Sequence, residues 1–144
     1  MKNPTPNQQP IDVSAALIFH KGRLLITQRH AGSHLGGLWE FPGGKREPNE
    51  TFEQSLVREI NEELGMTITV GKLFDEITHA YREKKVHLKF FLCEWTAGEP
   101  QTLDCASFKW VAKDELAGHA FPAADAQLLE KISRNWPEGG SGKS

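Results

Sequence analysis

The sequence predicts a mixed β-sheet with helices packed on its faces, an α+β arrangement rather than a doubly wound α/β fold. Two observations carry this. Strand-like segments outnumber helical ones, and most neighbouring strands are close enough to be joined as hairpins. The 144 residues fit one domain, and 38% hydrophobic with 25% charged content is ordinary for a globular chain.

Residues 1–10 are polar and Pro-rich and read as a disordered lead, and residues 137–144 read as a flexible tail. The folded unit is then 11–136, without internal repeats. Val13 to Phe19 is an apolar strand, His20-Lys21-Gly22 a turn, and Arg23 to Arg29 the hairpin partner. Residues 30–37, rich in Gly, His and Ser, form a loop, and Leu38 to Phe41 a short extended piece halted by Pro42-Gly43-Gly44. A helix starts at Thr51, which has capping-box spacing with Gln54. Phe52, Leu56, Ile60 and Leu64 then recur every fourth position as one buried stripe, and Gly65 stops the helix. Ile68 to Val70, Leu73 to Tyr81, Val86 to Trp95 and Phe108 to Val111 are strands, and Ala124 to Arg134 is a second amphipathic helix.

A net charge of -2 gives no sign of a surface built to coat nucleic acid. An acidic chain can still bind a polyphosphate when metal ions sit between them. Cys93 and Cys105 form no C-x-x-C pair and read as buried or idle thiols. No apolar run approaches the ~20 residues of a membrane span, and the N-terminus lacks a signal-like stretch. A cytoplasmic location is the expectation.

Glu59, Glu62 and Glu63 stand at i, i+3 and i+4, so their carboxylates share one helix face. Solvated glutamate faces are common, and spacing alone decides nothing. But like charges so placed repel, and the C-terminal half of a helix disfavours anions. With Glu50 just ahead of the helix and Arg58 alongside, the cluster suits hard cations such as Mg²⁺, which take oxygen ligands. The preceding Phe41-Pro42-Gly43-Gly44-Lys45 loop supplies glycines that let backbone approach a ligand.

Read as one segment, residues 44–66 run G-K-R-E-P-N-E-T-F-E-Q-S-L-V-R-E-I-N-E-E-L-G-M. This resembles the Nudix box, with Gly44, Glu50, Arg58, Glu59, Ile60, Glu62, Glu63, Gly65 and Met66 at its specified positions. Leu38 to Lys45 and the chain from Val13 to Ile132 look like the MutT-type branch, small enzymes that remove oxidised purine nucleotides. The resemblance implies an α/β/α sandwich around a mixed sheet. It also implies a Mg²⁺-dependent cut of a nucleoside triphosphate to monophosphate and pyrophosphate, with Mn²⁺ able to substitute. Glu59, Glu62, Glu63 and the Gly43 carbonyl would hold metal, and Arg58 would orient the glutamates. Glu50 would stabilise the loop or complete the metal shell. Asp104, six positions before Trp110, stands where relatives often carry a Glu; it is a ligand, a base or a solvated loop carboxylate.

By the same resemblance, Arg29, Phe41, Lys45, Tyr81 and Asp125 would contact the nucleotide. Asp125 is the informative position, since MutT carries Asn there, which donates and accepts at once. An ionised Asp only accepts, whereas one protonated by burial does both. Asp also occurs there in 8-oxo-purine hydrolases and in a (d)CTP-preferring relative, so the base stays open. ADP-ribose and NADH fit less well, because those branches carry prolines beyond the box and none lies between Pro48 and Pro100. A reading of another class is a non-catalytic module that recognises a lesion base, though such modules normally lack the complete acidic box. The expected partner is a free nucleotide, with no nucleic acid or membrane, and the chain would be a monomer or homodimer.

Overall fold

The computed structural model describes residues 9–137. Apart from residues 9, 10 and 137, the lead and tail expected at the two ends lie outside the described residues.

The central strand is β1 (Ile11–His20), apolar along its middle. On one side it runs parallel to β6 (Lys85–Ala97), from Ile11 opposite Val86 to Ile18 opposite Cys93. On the other it pairs antiparallel with the short β4 (Gly43–Lys45). The long β5 (Thr67–Ala80) covers the outer edge of β6. A turn at Lys21 and Gly22, both with positive φ, returns the chain into β2 (Arg23–Gln28). There β2 leaves β1 and pairs instead with β3 (Trp39–Glu40) and β7 (Ser107–Val111). The sheet therefore mixes one parallel and several antiparallel pairings.

Successive residues of β1 and β2 point to opposite faces, which creates two cores. Ala16, Ile18 and Leu25 face α1 (Phe52–Leu64) and meet its Leu56, Ile60 and Leu64. Ala15, Leu17, Leu24 and Ile26 face the other way, towards Leu116, Ala124, Leu128 and Ile132. Those four come from α2 (Lys113–Leu116), α3 (Ala123–Ala126), the residue after α3's C-cap, and α4 (Leu129–Arg134). The layers are helix, sheet, helix. Trp95 of β6 and Trp110 of β7 stack at 5.5 Å across the join between the two parts of the sheet, with the His20 ring edge-on to Trp95.

Four elements differ from expectation. Gly43–Lys45, read as a halt and loop, is the strand β4, because Val13 to Ala15 of β1 pair with it. The segment 67–80 is one strand, not two, because β6 holds pairing on both sides of an irregularity at Val70 to Asp75. The helix expected over Ala124 to Arg134 is divided by a turn at Gln127 and Leu128 into α3 and α4, and the Leu128 side chain stays fully buried at that turn. The short α2 was not foreseen; Glu115 caps it by accepting the Ala112 N–H at 2.7 Å. Arg29 lies one residue beyond the end of β2.

Candidate active site

The acidic helix is held at both ends as its sequence requires. Thr51 Oγ1 accepts the Gln54 N–H at 3.0 Å, Gln54 Oε1 accepts the Thr51 N–H at 2.9 Å, and Gly65 turns left-handed at φ 71°. This fixes which face looks towards β4. Gly44 of β4 lies against Glu59, so that a Cβ there would collide with the carboxylate.

Arg58 is the hub. Its Nη2 donates to Glu50 Oε1 at 2.6 Å and its Nε to Glu50 Oε2 at 3.1 Å. Nη1 faces Glu59 Oε2 at 3.2 Å and Glu62 Oε1 at 3.3 Å, and Nη2 also reaches the Lys45 carbonyl. Charge-assisted bonds of this kind orient the carboxylates. They also hold the Glu50 carboxyl below its usual range and raise the Arg58 guanidinium.

Glu63 turns the other way, inward. Burial pushes its carboxyl up to about 9, the charges of Glu40 and Glu59 add to this, and the Gly43 N–H opposes it. Its Oε1 is buried without a hydrogen-bond partner. Among the described residues no three acidic, His or Cys side chains gather tightly enough to hold one ion, since Arg58 draws Glu59 and Glu62 to itself. The donor set nevertheless fits a hard divalent cation: all oxygens, one of them unpartnered, beside a glycine pair that leaves room.

Beyond Glu63 a cavity of about 260 Å³ opens, lined by Gly43, Gly44, Lys45, Arg29, Tyr81 and Asp125 among others. Phe41 forms part of its wall and stacks on Phe121 at 5.1 Å. Ala124 N–H donates to Tyr81 Oη at 3.0 Å, which fastens the β5 end to α3. Asp125 is 7% exposed, and its Oδ2 lies 3.5 Å from the Phe41 N–H. Burial, with Glu40 nearby, raises its carboxyl to about 8 against the pull of that N–H and of Arg29. Asp104 stands apart. Its side chain is 79% exposed and 3.5 Å from His30 Nε2, while its backbone N–H is tied to the Glu63 carbonyl.

Ten of the eleven sequence-selected residues thus lie on the acidic helix or around the cavity, and Asp104 is outside both. Several cavity residues were missed, Glu40 and His34 among them. Glu40 is half-buried and accepts from Arg29 Nη1 at 2.9 Å, and His34 holds Arg29 Nε through its carbonyl at 2.7 Å. The signal for Glu40 was a lone acid between Trp39 and Phe41, at the end of an apolar strand; His34 carried none.

A model of the NUDIX domain matches residues 14–131. The chain belongs to the Nudix family. Among its Nudix relatives, 43% identity over 91 residues links it to an 8-oxo-dGTP diphosphatase of Proteus vulgaris, covering 62% of this chain and 81% of that one. A CTP pyrophosphohydrolase of Escherichia coli is 38% identical over 120 residues, covering 83% and 89%. The crystal structure of a MutT protein from Methanosarcina mazei superposes with a TM-score of 0.79 at 28% identity, covering 89% and 96%. The Nudix chain is thus a hydrolase of the nucleoside triphosphate diphosphatase type, in a family that generally uses a divalent metal.

Proposed function

We propose that this Nudix hydrolase cleaves oxidised purine nucleoside triphosphates such as 8-oxo-dGTP to the monophosphate and pyrophosphate, with Mg²⁺ held by Glu59, Glu62, Glu63 and the Gly43 carbonyl. The observation that carries the base assignment is Asp125, a buried carboxyl whose raised pKa keeps its proton near neutrality. It then offers one donor and one acceptor beside the aromatic wall of Phe41. Oxidation of guanine at C8 turns N7 from an acceptor into a donor, next to the O6 acceptor, and that edge is complementary to a protonated carboxyl.

Bound Mg²⁺ would neutralise the polyphosphate and lower the pKa of the attacking water. Arg58 keeps Glu59 and Glu62 in place for this role. Lys45 and Arg29, both in the cavity lining, supply positive charge along the phosphates. Phe41 and Tyr81 bracket the base. The proton of the attacking water passes to a helix glutamate or to Asp104. Attack at the β-phosphorus accords with the MutT resemblance.

A pyrimidine reading keeps one specific support. Cytosine also pairs an amino donor with a ring acceptor, and one relative matched over 83% of this chain is named for CTP. The net charge of -2 favours free nucleotide over nucleic acid as substrate. In the cell we place the enzyme in the cytoplasm, as a monomer or homodimer within one folded unit of residues 11–136, sanitising the nucleotide pool.

The test is a kcat/KM series with 8-oxo-dGTP, dGTP, dCTP, ADP-ribose and NADH, read as Mg²⁺-dependent pyrophosphate release where the substrate yields it. A preference for 8-oxo-dGTP over dGTP below about tenfold, with faster dCTP cleavage, transfers the assignment to the pyrimidine reading. Glu62→Gln is expected to keep the fold and lower kcat at least ~100-fold, the scale of a positioned catalytic group. Wild-type turnover in that variant at saturating Mg²⁺ would remove Glu62 from the metal set.

A further inference from the structure

Arg46 lies one residue beyond β4, outside the specified positions of the Nudix box. Its Nη2 and Nε both donate to Asp12 Oδ2, at 2.6 and 3.2 Å. Its Nη1 donates to the Glu50 carbonyl at 2.8 Å, and its backbone N–H to the Asp12 carbonyl at 2.9 Å. One side chain therefore ties the start of β1 to the last residue before the helix cap. Asp12 is braced in turn. His87 Nδ1 stands 3.4 Å from Asp12 Oδ1, and its Nε2 stands 2.9 Å from Glu76. The Phe52 ring closes over the guanidinium at 5.2 Å.

What hangs from this tie is Glu50. Its Oε1 accepts the Glu47 N–H at 2.9 Å, and its two oxygens take two arms of Arg58, the residue that also faces Glu59 and Glu62. The order of contact is Asp12, Arg46, Glu50, Arg58 and then the acidic pair. Neither Asp12 nor Arg46 lines the cavity. Both are only 27% exposed, so the pair works in partly desolvated surroundings.

We propose that Arg46, clamped by Asp12, is a positioning residue for the metal-dependent reaction, setting the place of Glu50 and through it the seat of Arg58 between Glu59 and Glu62. The proposal rests on the reading that those glutamates hold the divalent ion. Loss of the tie acts on metal uptake and turnover, while nucleotide affinity, set in the cavity, stays. A merely structural ion pair would lower Tm and leave the rest alone.

The experiment compares the full-length wild type with Arg46→Met, Arg46→Lys, Asp12→Asn and the double Asp12→Asn/Arg46→Met variant. Mn²⁺ uptake is followed by calorimetry, and kcat and KM for the nucleotide are measured well below each Tm. Residues that orient metal ligands typically contribute 10–100-fold, and we expect the lower end: about a tenfold fall in kcat and in Mn²⁺ affinity for Arg46→Met. KM should stay within about twofold. Lysine should restore only part, since its ammonium cannot span Asp12 and the Glu50 carbonyl as a fork does. The double variant should be no worse than Arg46→Met, the mark of residues acting as one unit. Wild-type kcat and Mn²⁺ affinity in Arg46→Met, whatever its Tm, overturn the proposal. Should that variant not fold, wild-type values in Asp12→Asn overturn it equally. Absence of Mn²⁺ uptake by the wild type itself would overturn the metal reading beneath it, an outcome distinct from equal uptake by all variants.

Discussion

Asp125 and Glu63 are carboxyls whose chemistry is set by where the fold puts them. Both titrate well above ordinary carboxylates because burial disfavours their charge, Asp125 at about 8 and Glu63 at about 9. In the unfolded chain each loses its proton near pH 4, so over the interval up to 8 or 9 the folded state binds more protons than the unfolded one. Stability from these groups is complete at low pH and is lost as pH rises through the folded values. The Tm of metal-free protein should therefore fall between about pH 5 and pH 9. In Asp125→Asn the decline should be shallower, with the remainder due to Glu63 and to Glu40 and Glu59, whose carboxyls burial also raises. An unchanged slope in Asp125→Asn would mean that Asp125 is already ionised in the fold. Sequence could name Asp125 as a candidate but not its protonation, because the groups that decide it, Glu40, Arg29 and the Phe41 N–H, lie 84 or more residues away along the chain.

The acidic helix is the most legible element. Its cap, its stripe and its stop are all local, and the observed Phe52–Leu64 begins and ends where those signals stand. Removing the cap tests this directly. Thr51→Ala leaves the Gln54 N–H unsatisfied and should lower stability by about 1 kcal/mol in urea titration, with kcat retained below Tm. A loss near zero would show that tertiary packing alone holds the helix start. Elements decided by distant partners were less readable. The turn at Gln127 and Leu128 divides the helix while the Leu128 side chain stays in the core, and β5 is continuous because β6 pairs with it on both sides of the bulge. Neither cause is visible in a local window.

Across the whole molecule the two cores are built from alternate residues of β1 and β2, and the acidic helix belongs to one core while Asp125 belongs to the layer over the other. The candidate site therefore reaches across the sheet, and in the proposed reading the acidic helix serves the metal and the Asp125 end serves the base. A ligand bound there stabilises the molecule as a whole: an ion present at 100 times its Kd adds about 2.7 kcal/mol. Adding Mg²⁺ should therefore raise Tm in the wild type and do so much less in Glu62→Gln, as scanning calorimetry would record. Equal increments in both proteins would place the ion elsewhere. The layered architecture was foreseeable from strand count and periodicity; the cavity residues outside the box, Arg29, Phe41, Tyr81 and Asp125, were reachable only through the family resemblance, since they lie far apart along the chain and share no local pattern.

Trp95 and Trp110 come from strands in different halves of the sheet, yet their indoles overlap. Chromophores so arranged couple their excited states and give a paired-sign band in circular dichroism that neither gives alone. The chain therefore carries an internal optical ruler for the seam between its sheet halves. On heating, loss of that couplet before the bulk β signal would reveal a seam that opens first, and simultaneous loss would reveal one cooperative unit.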